Sequence, residues 1–136
     1  MDRVFLDANI LFSAAYSQGA GLARLWEISD IRLLTSAYAA EEARRNLDLG
    51  DQIERLDVFV SKVELVVASQ EMAPNIEQTR LPEKDVPILL AAVAGQATHL
   101  LTGDLRHFGH LLNTQVHGVL IQLPAVYLRG SATKPS

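Results

Sequence analysis

The sequence predicts a three-layer α/β/α sandwich on a mainly parallel sheet, and three observations predict it. Short apolar runs alternate with helical stretches along the whole chain. The first of these, Val4 to Leu6, is an unbroken apolar run of the kind that forms a strand buried on both faces. The composition is 49% hydrophobic but only 6% aromatic, which suits Ala- and Leu-rich helices packed on a small sheet. At 136 residues the chain is long enough to bury a continuous core. We read one domain over 1–129 and a disordered tail over 130–136, where small and polar residues collect.

The elements follow in order. After the strand at Val4–Leu6, Ile10, Leu11, Ala14 and Ala15 recur at helical spacing until Ser17-Gln18-Gly19 breaks the pattern. Leu22, Leu25, Trp26 and Ile28 define a second amphipathic segment, with Trp26 as a core anchor. Ile31 to Thr35 reads as a strand, and Ser36 as the N-cap of a helix from Ala37 to about Leu47. A further helix spans Asp51 to Ser61, and Val63 to Val67 is a strand candidate. Met72 to Leu81 reads as an irregular connection or a weak helix. The next helix opens at Pro82-Glu83-Lys84-Asp85 and ends at Gly95; Pro87 is tolerated in a first turn that needs no donor there. Its apolar residues from Ile88 to Ala94 predict a central helix covered on most sides. Thr98 to Thr102 is a strand, a brief helix runs through Phe108 to Leu112, and Val119 to Ile121 is the last strand.

Charge and composition narrow the function classes. A net charge of -4 and a pI near 5.5 argue against holding nucleic acid by bulk positive charge. They leave room for a nucleic-acid enzyme whose site carries bound cations. The absence of cysteine rules out disulfides and thiolate-metal sites and fits a reducing cytosol. The longest apolar run falls well short of the roughly 18 residues that span a bilayer. These features predict a soluble, cytoplasmic protein with no membrane partner.

The acids carry the chemistry. Asp7 and Asp104 each follow an apolar strand, and so are delivered to the carboxyl edge of a parallel sheet, where loops fan apart and ligands bind. Either could instead cap the helix that follows. Gly103 would let the backbone turn tightly or approach a ligand closely. On the helix after Ser36, Ala39, Ala43 and Leu47 mark the buried stripe; Glu42 borders it, while Glu41 points away and has Arg45 as an i,i+4 partner. Asp85 abuts the apolar run of the central helix, with Glu83 as the competing acid and the helix macrodipole as the alternative explanation. Two like charges 5 Å apart repel by about 3 kcal/mol at an effective dielectric of 20, so four converging carboxylates require cations among them. All-oxygen ligands point to Mg²⁺ or Mn²⁺, and such ions assist phosphodiester hydrolysis.

The residues Val4-Phe5-Leu6-Asp7-Ala8-Asn9, Ser36 through Glu42-Ala43-Arg44-Arg45-Asn46-Leu47, Asp85 with Ala91-Ala92, and Leu101-Thr102-Gly103-Asp104 together resemble the PIN domain, a small metal-dependent nuclease fold typified by VapC toxins of toxin-antitoxin pairs. The resemblance spans nearly the whole chain and rests on order and spacing. It implies that Asp7, Glu42, Asp85 and Asp104 bind Mg²⁺ or Mn²⁺, that Asn9 and Thr102 support the site, and that RNA is the substrate. An antitoxin partner and a homodimer are implied in the same way. Many members carry a further acid after the fourth; here Leu105-Arg106-His107-Phe108 occupies that region. Arg44, Arg45 and Arg106 are candidates for RNA backbone contacts, since these need only positive charge near the strand's path. His107 and His110 have the spacing of an exposed polar face and are read as surface residues, at most beside substrate phosphates; His99 and His117, at strand starts, are read as structural.

Two other functions compete. An aspartyl-phosphate phosphatase of the haloacid-dehalogenase kind also places Asp after its first strand, but needs an acid two residues on, where this chain has Asn9. A PIN-like module that only binds RNA or protein would have no need for the ion, and the four acids argue for catalysis.

Overall fold

The computed structural model describes residues 1–67 and 75–133. Six strands form one sheet in the order β3-β2-β1-β4-β6-β5: β1 Asp2–Leu6, β2 Ile31–Thr35, β3 Glu64–Leu65, β4 His99–Leu101, β5 Gln115–Val116 and β6 Val119–Gln122. All neighbours are parallel except β5 and β6, and helices flank the sheet in the expected three layers. The helices are α1 Ala8–Tyr16, α2 Ala37–Arg45, α3 Gly50–Ser61, α4 Val86–Ala94, the short α5 Leu105–Phe108 and α6 Pro124–Thr133.

Burial explains the order. Val4, Phe5 and Leu6 of β1 and Leu100 and Leu101 of β4 are fully buried, as unbroken apolar strands at the centre of a sheet must be. Helix α4 buries Ile88, Leu89, Leu90, Ala91 and Ala92 and packs against β2 and β4. Helices α1, α2 and α3 pack together, and Gln52 and Arg55 of α3 donate to the carbonyls of Tyr16 and Ala15. Those are end-of-helix carbonyls of α1 that would otherwise lack donors. Among the described residues no helix is long and apolar enough to cross a membrane.

Several expectations need correction. The segment around Trp26 is a 3-10 helix over Gly21–Glu27, with Leu25 as its buried residue; Trp26 packs on Phe59 at 4.4 Å between ring centroids and donates Nε1–H to the Phe59 carbonyl. The third strand shrinks from 63–67 to Glu64–Leu65. Of the connection over 72–81, the part at 72–74 lies outside the described residues, and Ile76–Thr79 forms a 3-10 turn. A two-residue strand, β5, was not foreseen. It pairs antiparallel with β6 across His117 and Gly118, both at positive φ (50° and 83°). Positive φ at both central residues is the hairpin geometry that matches strand twist, so His117 belongs to a turn rather than a strand start. Finally, α6 continues to Thr133, inside the stretch read as a disordered tail; residues 134–136 lie outside the described residues.

The topology sets the place of the site. From β1 the chain builds outward to β2 and β3, then crosses back to lay β4 on the other side of β1. The crevice at the carboxyl ends of β1 and β4 is therefore a topological switch point, where α/β sheets bind ligands. The register pairs Leu6 with Leu101, so Asp7 and Thr102 leave the two strands side by side, with Asp7 N–H donating to the Leu101 carbonyl at 3.1 Å.

Candidate metal centre

At that crevice opens a cavity of about 600 Å³ whose lining includes Asp7, Asn9, Glu42, Lys84, Asp85 and Asp104. All four predicted acids thus face one space. Strand β1 delivers Asp7 and strand β4 delivers Asp104, each through the start of a helix. Helix α2, capped by Ser36 Oγ accepting from Ala39 N–H, turns its buried Ala39 and Ala43 inward and leaves Glu42 at the border, half-buried. Glu41 is exposed, and no ion pair joins it to Arg45 among the described residues. Arg44 is instead engaged by Asp57 of α3, which draws it away from the acids.

Within the cavity the acids are of two kinds. Asp7 is buried and held by three donors: its Oδ1 accepts from Ala8 N–H at 2.7 Å, and its Oδ2 accepts from Thr102 Oγ1 at 2.7 Å and Asn9 Nδ2 at 3.0 Å. Thr102, fully buried, also accepts from Asp104 N–H at 3.1 Å. Asn9 Oδ1 takes the Gly103 N–H at 2.8 Å and so ties the loop after β1 to the loop after β4. Gly103 has no positive φ, and a Cβ there would meet Asn9 Oδ1 at an ordinary 3.4 Å. The turn itself therefore does not demand glycine.

Asp85 and Asp104 are different. Asp104 caps α5 with Oδ1, which accepts from His107 N–H at 3.1 Å, and keeps Oδ2 for the cavity side. Asp85 begins α4 without any side-chain cap bond. His107 Nδ1 stands 2.8 Å from Asp85 Oδ2 and 2.9 Å from Asp104 Oδ2, and the three residues offer ligand atoms within 4.8 Å of one another. Asp7 and Glu42 line the same cavity but stand outside that tight group, so the four predicted acids share a wall rather than a single point. The surface reading of His107 is overturned. His110 is tied to the Thr79 carbonyl at 2.6 Å through Nε2, away from the carboxylates.

His107 was legible after all. With Asp104 as N-cap, residue 107 is the third helical position, whose N–H the cap accepts and whose side chain folds back toward the cap. Lys84 also lines the cavity, and its place between Glu83 and Asp85 carries no sequence signal of that.

The charge state of the cavity follows from this geometry. Burial raises the Asp7 carboxyl from 3.8 to about 6; the bonds from Thr102 and Ala8 oppose the rise, and the charges of Asp85 and Glu42 add to it. Asp85 is raised too, by burial first, with His107 pulling it down and Asp104 pushing it up. The Tyr38 hydroxyl, raised by burial and by Glu42, donates to the Lys84 carbonyl at 2.6 Å beside this cluster. Repelling carboxylates with no arginine among them call for a cation. Asp85 Oδ2 and His107 Nδ1 are buried against each other in an ion-pair contact without the angles of a hydrogen bond. A donor set of two carboxylates and one imidazole that converge on one point fits a divalent ion.

The family model described as PIN domain matches residues 3–106, a span that holds all four acids. The chain belongs to the PIN domain family. Solved structures agree on the fold. VapBC2 from Rickettsia felis bound to a DNA fragment from their promoter aligns with TM-score 0.66 at 16% identity, over 89% of this chain and 98% of that one. VapBC-1 from nontypeable Haemophilus influenzae aligns at 0.62 and 14% identity, covering 90% and 98%. FitAcB from Neisseria gonorrhoeae aligns at 0.56 and 16% identity, again over 90% and 98%. No curated protein sequence matches this chain. At such identities the neighbours speak for the PIN fold alone. His107 falls one residue beyond the matched span.

Proposed function

We propose that this PIN domain protein is a Mg²⁺- or Mn²⁺-dependent endoribonuclease, the toxin of a toxin-antitoxin pair. The observation that carries the reading is the convergence of Asp85, Asp104 and His107, with ligand atoms within 4.8 Å of one another, beside a cavity that Asp7 and Glu42 also line. When bound, a divalent cation supplies Lewis acidity, lowering the pKa of a water and offsetting charge on the phosphodiester. Asp85 and Asp104 would hold it. Asp7 and Glu42 complete the anionic wall, and the Asn9 and Thr102 bonds fix the carboxylate of Asp7 in one orientation. Lys84, which lines this cavity, and Arg106 would meet substrate phosphates. Arg106 shares with Arg80, His107 and His110 a second cleft of about 330 Å³, which would take the continuing strand. Arg45, exposed on α2, is the other candidate; the contact to Asp57 argues against Arg44. The VapBC-type neighbours favour an antitoxin as partner and a cytoplasmic setting; homodimerisation stays with the family comparison. Asn9 is held as an amide donor to Asp7, which disfavours the phosphatase alternative.

The test is cleavage of RNA by the purified chain with Mn²⁺ or Mg²⁺, with EDTA, and with Asp104→Asn. Cutting that requires the ion and vanishes in the variant is expected. Undiminished cutting in EDTA, or full activity in the variant, would sink the metal-dependent nuclease reading. Ion binding without cleavage of any RNA would favour a binding module.

A further inference from the structure

His107 deepens the metal reading just given and rests on it. Its ring is held by α5 with the side chain 20% exposed, and Nδ1 faces Asp85 Oδ2 and Asp104 Oδ2 at 2.8 and 2.9 Å. Those are ion-pair distances without the angles of a hydrogen bond. Nδ1 therefore faces the same point as the two carboxylates, and the three ligand atoms lie within 4.8 Å of one another.

We infer that His107 is a nitrogen ligand in this centre and that the resulting mixed nitrogen and oxygen set favours a first-row transition ion, Mn²⁺ among them, over Mg²⁺. Mg²⁺ is hard, takes oxygen donors and retains its waters, whereas affinity for imidazole rises along the first-row series. The i,i+3 relation to Asp104 makes the nitrogen part of the fold rather than an accident of a mobile surface ring: the same cap bond that starts α5 fixes both ligand atoms.

Pulsed EPR on the full-length protein loaded with Mn²⁺ reads the nitrogen directly. The expected result is a histidine ¹⁴N coupling that disappears in His107→Ala and persists in His110→Ala. Calorimetry should show Mn²⁺ affinity falling about tenfold or more in His107→Ala, with Mg²⁺ affinity changed much less. Should the alanine variant melt early, His107→Gln keeps the volume without a ring nitrogen and repeats both measurements. Mn²⁺ bound without nitrogen coupling, in a site that Asp104→Asn abolishes, would overturn the ligand role while leaving the metal reading standing. Tighter Mn²⁺ binding by His107→Ala would overturn it as well, since it marks the ring as a competing cation. A wild-type chain that binds no Mn²⁺ overturns both.

Discussion

The two walls of the crevice each present aspartate to the cavity, backed by Thr102 on one side and His107 on the other, and they behave oppositely. On one, Asp7, Asn9 and Thr102 use their polar atoms on each other and on nearby N–H groups. On the other, Asp85 and Asp104 converge on His107 Nδ1 at 2.8 and 2.9 Å, ion-pair contacts without the angles of a hydrogen bond. A carboxylate tied to protein donors has its orientation fixed and forms a frame, whereas carboxylates that converge with an imidazole repel one another and would be relieved by a cation. The difference teaches that counting carboxylates in a cleft does not assign their roles; what each oxygen touches has to be read as well.

The sharpest way to break that contrast is to neutralise the wall of Asp85 and Asp104. Asp85→Asn and Asp104→Asn should each lower RNA cleavage by about 10³-fold or more, the several kcal/mol that a Lewis acid contributes to the transition state. Mn²⁺ binding measured by calorimetry should be lost in parallel. If either variant kept wild-type binding, the ligand atoms would have been assigned to the wrong wall.

The charge of the frame gives the next largest effect, and its sign is opposite to the usual case for an acid. The native state holds the Asp7 proton up to about pH 6, while the unfolded chain releases it near 3.8. The native state then binds more protons through that window, so stability falls as pH rises from about 4 to about 6, by about 3 kcal/mol at completion. Urea unfolding in EDTA at pH 5 and pH 7 should show the wild type losing stability toward neutrality, and Asp7→Asn should flatten that slope. Saturating Mn²⁺ should flatten it too, because a cation offsets the repulsion from Asp85 and Glu42. An identical slope in wild type and variant would mean that Asp7 is not the group responsible.

Much of this was legible in the sequence, for identifiable reasons. Val4–Leu6 was readable because burial on both faces leaves no polar residue in the run, and Ile31–Thr35 because the buried Leu33 and Leu34 lie between Ile31 and a β-branched threonine. Glu42 was separable from Glu41 because a helix fixes angle by position, and Ala39 and Ala43 are buried where the stripe put them. What stayed hidden depended on contacts between segments distant in the chain. Strand β5 is two residues long, too short to carry a period, and exists because β6 offers it an edge. Capping and ligation looked like alternatives for Asp104, yet the carboxylate has two oxygens and serves His107 N–H with one and the cavity with the other. Arg44 looked free because Asp57, thirteen residues away, is brought beside it only when α2 and α3 pack.

A milder perturbation tests the centre of the frame. Thr102→Val keeps the shape but removes a hydroxyl that donates to Asp7 and accepts from Asp104 N–H, leaving buried polar atoms unsatisfied. Such a loss costs about 2 kcal/mol, to be read as a shift in urea midpoint, whereas Thr102→Ser should restore most of it. A serine variant as unstable as the valine one would show that the methyl group, rather than the hydroxyl, matters here.

The smallest effect belongs to Asn9, at the frame's edge, and its two substitutions should diverge. Asn9→Ala removes the donor to Asp7 Oδ2 and the acceptor for Gly103 N–H, both partly exposed, so about 1 kcal/mol of stability and about a tenfold drop in cleavage are expected. Asn9→Asp keeps the acceptor for Gly103 but turns a donor into a second negative oxygen 3.0 Å from Asp7 Oδ2. In EDTA at pH 7 it should therefore be less stable than the alanine variant, and the order should narrow or reverse with Mn²⁺ present, because the added carboxylate then faces a cation's field. If the aspartate variant were the more stable of the two without metal, the amide of Asn9 would be tying the loops together through Gly103 alone, and the orientation of Asp7 would rest on Thr102 and the helix cap.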